Sequence, residues 1–123
     1  MIIIGILAAI AIPVFLSQRA KARDTSTKAD VSTVGKEIAT YFVDGTDTLS
    51  IAVSGTSPKV ITLSDGVGGY TSDIRLSNGT DLKSTSAKIV NSGTWCVGLT
   101  NPDGKAKDYK YSSTEGLTQG ACS

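Results

Sequence analysis

The chain has 123 residues, a formal net charge of +1, two cysteines and no histidine. That length suits one domain with one small core, and the near-neutral charge offers no strong field to draw nucleic acid. Without histidine, both the commonest general base and the commonest transition-metal ligand are missing.

The first element is apolar. Residues 1–16 carry no charge. As a helix they span about 24 Å at about 1.5 Å per residue, against roughly 30 Å for a bilayer core. The stretch therefore reads as the C-terminal part of a longer apolar helix. The polar run from Ser17 to Arg23 follows with no turn signal, and neither Gly nor Pro occurs between Val14 and Val34. Further on, Val31, Val34, Ile38 and Tyr41 recur at three- and four-residue steps, with Thr27 one turn earlier. That is one helical face. Lys28, Asp30, Lys36 and Glu37 fall mostly off it. Gly35 weakens the helix by about 1 kcal/mol relative to alanine. Asp44-Gly45 supplies a stop. The pattern predicts one helix from Met1 to about Val43, apolar all round over residues 1–16 and amphipathic over 17–44.

Residues 45–123 read as a β head. Leu49, Ile51 and Val53 alternate with small or polar residues. Lys59–Leu63 and Lys88-Ile89-Val90 are short β-branched runs. Residues 64–86 are rich in Gly, Ser and Asp and read as a long connection with one weak strand at most. In Thr94–Thr100, Trp95, Val97 and Leu99 share one face. Asn101-Pro102-Asp103-Gly104 is a strong turn signal, and Asp108–Ser113 completes a hairpin. The fold class is α+β: a long helix whose amphipathic half covers a small antiparallel sheet through Val31, Val34, Ile38 and Tyr41 on one side and Trp95, Val97 and Leu99 on the other.

Cys96 and Cys122 are read as one disulfide of an exported protein, or as two unrelated reduced thiols. Trp95 is assigned to the core in preference to a ligand-stacking role. The loop acids Asp65, Asp73, Asp81, Asp103 and Asp108 are read as solvated turns, because their spacing matches no calcium loop. Asn78-Gly79-Thr80 fits a glycosylation sequon formally and a turn physically. No nucleophile–base pair, metal-ligand set or phosphate loop is present, so the expectation is no enzyme, no cofactor and no metal.

The run Ile3-Ile4-Gly5-Ile6-Leu7-Ala8-Ala9-Ile10-Ala11-Ile12-Pro13 resembles the N-terminal helix of type IV pilins and type II secretion pseudopilins, including its Gly and its Pro. The resemblance implies a pilin-like fold and a subunit with two lives. It first sits in the cytoplasmic membrane by its apolar helix. It then polymerises into a surface filament through contacts among copies of that helix, with help from an assembly machinery and a prepilin peptidase. Mature members of the family begin further upstream, behind a basic leader, so the family's processing site falls before Met1.

On that basis Ile2, Ile3, Ile4, Ile6, Leu7, Ala8, Ala9, Ile10, Ala11, Ile12, Val14, Phe15 and Leu16 form the membrane and filament core. Ala8, Ala9 and Ala11 permit close helix approach. Gly5 and Pro13 mark a weak point in the helix: a bend tolerated in a membrane helix, or a segment that loosens on polymerisation. Arg19, Lys21 and Arg23 face lipid headgroups and then a neighbour's acids, or form a solvated helix face. Two other readings stand beside the major pilin. One is a minor pilin or pseudopilin of a secretion or DNA-uptake system. The other is a secreted binding domain with a signal peptide cut near Ala9-Ile10-Ala11. Adhesion and motility are both served by such filaments, and nothing in the residues separates them.

Overall fold

The computed structural model describes residues 2–85, 89 and 93–122, excepting the side chains of residues 8–14, 84 and 85. One helix, α1, runs unbroken over Ile2–Tyr41. It stops two residues short of Val43 because residues 42–44 form a turn, with the Gly45 N–H donating to the Tyr41 carbonyl at 2.8 Å. The polar half is rich in Ser and Thr, which compete with the backbone for hydrogen bonds. Here the hydroxyls of Thr25, Ser26, Thr27, Thr33 and Thr40 each donate to the carbonyl four residues back. Their polar atoms are thereby satisfied without leaving the helix.

Seven strands follow: β1 Ser50–Ser54, β2 Val60–Ser64, β3 Thr71–Arg75, β4 Asp81–Thr85, β5 Cys96–Thr100, β6 Asp108–Ser112 and β7 Gly116–Gln119. They form two antiparallel sheets, β1-β2-β3 and β4-β5-β6-β7, in place of the single sheet expected. The stretch 64–86 is likewise no long connection, since it holds β3 and β4. In β3 only Ile74 is buried, and β4 carries Leu82 as its lone large apolar residue. Backbone pairing creates these strands, and hydropathy does not register it. The polar strand β7, also unforeseen, pairs with β6 through Tyr111↔Leu117. In the run Lys88-Ile89-Val90, Ile89 forms one bridge with Leu49; Lys88 and Val90 lie outside the described residues. The β5–β6 hairpin has Thr100 opposite Asp108.

The helix lies against β5 and β6, with β7 and β3 at its flanks. Val31, Val34 and Ile38 are fully buried and Tyr41 nearly so. They share one core with Trp95, Val97, Leu99 and Tyr109 of the second sheet and Ile61, Leu63 and Ile74 of the first. Trp95 stacks on Tyr111 at 5.9 Å between ring centroids. Gly35 explains itself here: a Cβ at that position would run into the Tyr111 ring. The glycine that weakens the helix is what lets the ring lie against it. Cys96 and Cys122 are joined in a disulfide, which resolves the two readings of the cysteines. Closing that loop of 26 residues in sequence stabilises the head by about 3 kcal/mol in the chain-entropy account.

Candidate functional site

The two halves of α1 have different surroundings. Ile2, Ile3, Ile4, Ile6 and Leu7 are 56–80% exposed, and Phe15 and Leu16 are 62% and 57% exposed. The expected core positions Ala8, Ala9, Ile10, Ala11, Ile12 and Val14, and the ring of Pro13, lie outside the described side chains. The backbone is helical through both Gly5 and Pro13, and the space around Gly5 is open. Among the described residues, Asp24 is the first buried position from the N-terminus.

Asp24 extends the core stripe by one step: 24, 27, 31, 34, 38 and 41 all lie on one face. A carboxylate at a core position needs partners. Its Oδ2 accepts the Ala106 N–H at 2.9 Å and its Oδ1 accepts the Lys107 N–H at 3.1 Å. Such charge-assisted bonds are stronger than neutral ones. They hold Lys107 in the left-handed region, at φ 73°, which a non-glycine residue seldom adopts. The same carboxylate occupies the space that a Cβ on Gly104 would need. The Asn101–Gly104 turn thus does more than reverse the chain, because its glycine allows the loop to close on the helix. Beside it, the Arg23 guanidinium donates to the Asn78 carbonyl at 3.0 Å, and the Asn101 amide donates to the same oxygen at 3.3 Å.

Two more acids repeat the device along α1. Asp30 accepts the Ser77 N–H at 2.7 Å and the Ser77 hydroxyl at 3.1 Å. Glu37 accepts the Tyr70 hydroxyl at 3.1 Å and the Ser72 hydroxyl at 3.2 Å. Burial and the Glu37 hydrogen bond both push the Tyr70 phenol above its usual range. Three carboxylates therefore fasten three separate connections of the head to the helix. Asp30 and Glu37 lie off the core face that the spacing predicts, and Asp24 is marked in the sequence only by its place three residues before Thr27.

The remaining candidates have local roles. Asp65 caps its own hairpin through the Val67 and Gly68 N–H groups, both at 3.1 Å. Asp73 accepts the Thr62 hydroxyl. Asp81 pairs with Lys59, whose hydrogen bond holds the carboxyl below its usual range. Asp108 lies 4.0 Å from Lys83. Asn78-Gly79 forms a turn with Gly79 at φ 82°, and Thr80 is 1% exposed. Among the described residues no three His, Cys, Asp or Glu side chains come together. Trp95 is 5% exposed, buried in the core with Val97 and Leu99 rather than open to a ligand. Arg19 and Lys21 are exposed, whereas Arg23 is engaged by Asn78.

Among the described residues no helix is long and apolar enough to cross a membrane. The arrangement is one continuous helix with its C-terminal part fastened to the head and the apolar side chains of residues 2–7, 15 and 16 exposed. Comparison with protein-family models, with curated proteins and with solved structures returned no match.

Proposed function

We propose that this protein is the structural subunit of a type IV pilus-like filament, held in a membrane by its apolar helix and then polymerised with copies of itself. The observation that supports this is a single 40-residue helix that packs on the head from Asp24 onward, while its apolar residues 2–7, 15 and 16, beyond a polar stretch at 17–23, are exposed. A contiguous exposed apolar surface marks an interaction site. Apolar side chains all round a helix suit burial on every side, as in a bundle of like helices. The exposed stretch supports helix-on-helix packing more directly than it supports the membrane stage. A signal-peptide reading fits less well, because α1 continues past Ala11 without a break into the packed half. Within the filament reading, the major pilin is preferred to the minor pilin or pseudopilin on the C-terminal disulfide loop alone.

The test is electron microscopy and intact mass on material sheared from the surface of producing cells. Filaments built from this chain, with a mass two hydrogens short for the disulfide, support the proposal. A soluble monomer beginning at Ile12 with no filaments overturns it. Ile6→Asp and Leu16→Asp should abolish filaments while Trp95 fluorescence reports an unchanged head.

A further inference from the structure

Two exposed patches flank the packed half of α1, and they are complementary. At its N-terminal end Leu16, Arg19, Ala20, Arg23 and Asp103 line an open notch of about 290 Å³. Leu16 and Ala20 give it a small apolar area, most of its lining is polar, and Arg19 and Arg23 make it basic. Asp103 offsets part of that charge. At the C-terminal end of the helix the turn after Tyr41 presents Val43, 83% exposed, flanked by the exposed Asp44 and Asp47. That turn is held in shape by the Tyr41 hydroxyl, which accepts the Asp47 N–H and donates to the Asp47 carbonyl, both at 3.1 Å. Among the described residues, neither the Asp44 nor the Asp47 carboxylate has a hydrogen-bond or ion-pair partner.

We infer that the Val43–Asp47 turn of one copy docks into the Leu16–Arg23 notch of the next. Val43 covers Leu16 and Ala20, while Asp44 and Asp47 meet Arg19 and Arg23. The inference rests on the filament reading and names the contact that sets its register. The two patches are different surfaces, so the contact is head-to-tail and propagates as an open polymer. The helix between Arg19 and Tyr41 is about 33 Å long at about 1.5 Å per residue, which sets the axial offset of docked copies. Opposed charges here act mainly on specificity: they reject a wrong register, in which like charges face each other.

The experiment is a charge-reversal cycle in the full chain, read as the yield of sheared filaments. Arg19→Glu and Asp44→Lys should each lower the yield roughly tenfold, and the double variant should restore it. Arg19 and Asp44 make no intramolecular bond that the head needs, and a Trp95 fluorescence melt checks this for each variant. A chain carrying Arg19→Cys and Asp44→Cys should give, on oxidation of its filaments, a ladder of cross-linked copies on a non-reducing gel. If the single variants assemble like wild type, or the ladder is missing from intact filaments, the docking contact is overturned and the filament reading stands. If wild type itself forms no filaments, the filament reading falls and the contact falls with it.

Discussion

Residues 2–16 and 24–41 belong to one helix, yet they obey opposite rules. The first half is the more hydrophobic, and its described side chains are the less buried, with Ile2 80% exposed. The second half carries Lys, Asp, Glu, Ser and Thr and still supplies Val31, Val34 and Ile38, all fully buried. Hydrophobicity states what a side chain gains by leaving water; burial needs a surface to leave it for. Along the second half the two sheets provide that surface, and Asp24, Asp30 and Glu37 fasten it in place. Along the first half Ile2, Ile3, Ile4, Ile6, Leu7, Phe15 and Leu16 meet no such surface among the described residues. Hydrophobicity alone therefore does not place a residue in the core: the apolar residues 2–7, 15 and 16 stay exposed, while the more polar half packs on the head.

Substitutions placed in pairs, one in each half, test this contrast most directly. The largest effect is expected at the core. Ile38→Ala should cost about 2–5 kcal/mol, as a large-to-small change in a packed site. Ile6→Ala should stay within about 0.5 kcal/mol, as at an exposed site. Urea unfolding followed by Trp95 fluorescence measures both, and similar values would erase the contrast. Next comes the clamp. Asp24→Ala strands the Ala106 and Lys107 N–H groups and should cost about 2–3 kcal/mol. A variant as stable as wild type would show that water replaces the carboxylate without loss.

The helix glycines should respond with opposite signs. Gly35→Ala forces a methyl against Tyr111 and should destabilise by about 1–3 kcal/mol, despite alanine's better helix propensity. Gly5→Ala meets open space and should favour the helix by about 1 kcal/mol with the head unchanged. Helical circular dichroism and the urea midpoint separate the two. The smallest effect is the pH dependence of Tyr70. Burial first, and the Glu37 hydrogen bond second, raise its folded-state pKa above the ordinary value of 10.0. Its contribution is therefore complete below pH 10 and lost as pH rises through the raised value. Stability between pH 9 and 12, compared with Tyr70→Phe, should show a fall in wild type that the variant lacks; parallel curves would assign the alkaline loss to other groups.

Much of this architecture is legible in the residues. The three- and four-residue spacing from Val31 to Tyr41 marks a helix face, and the alternation of Trp95, Val97 and Leu99 marks a strand face, because both periods follow from local backbone geometry. The hairpin around Asn101–Gly104 is legible for the same reason. Strands β3, β4 and β7 are not. Each buries little, so its only signature is backbone pairing with its neighbour, β3 with β2, β4 with β5 and β7 with β6, which hydropathy does not register. The roles of Asp24, Gly35 and Gly104 are hidden for a related reason: a lone acid or glycine acquires meaning only from what stands opposite. Two of these three, Asp24 and Gly35, break a local rule for helices, and each break is compensated by specific contacts: two backbone N–H groups for Asp24 and the Tyr111 ring for Gly35.

What the sequence determines alone is whatever depends on near neighbours: one long helix with an apolar half and an amphipathic half, a β-rich remainder, and the chemistry it lacks for want of histidine. Tertiary structure decides what depends on distant groups meeting. It splits the strands into two sheets, joins Cys96 to Cys122, turns three helix acids into fasteners for three connections, and leaves Ile2–Leu7 without cover in the monomer. Periodicity is carried by a few consecutive residues, whereas a hydrogen bond such as that from Lys107 to Asp24 spans 83 positions and exists only once the chain has closed on itself.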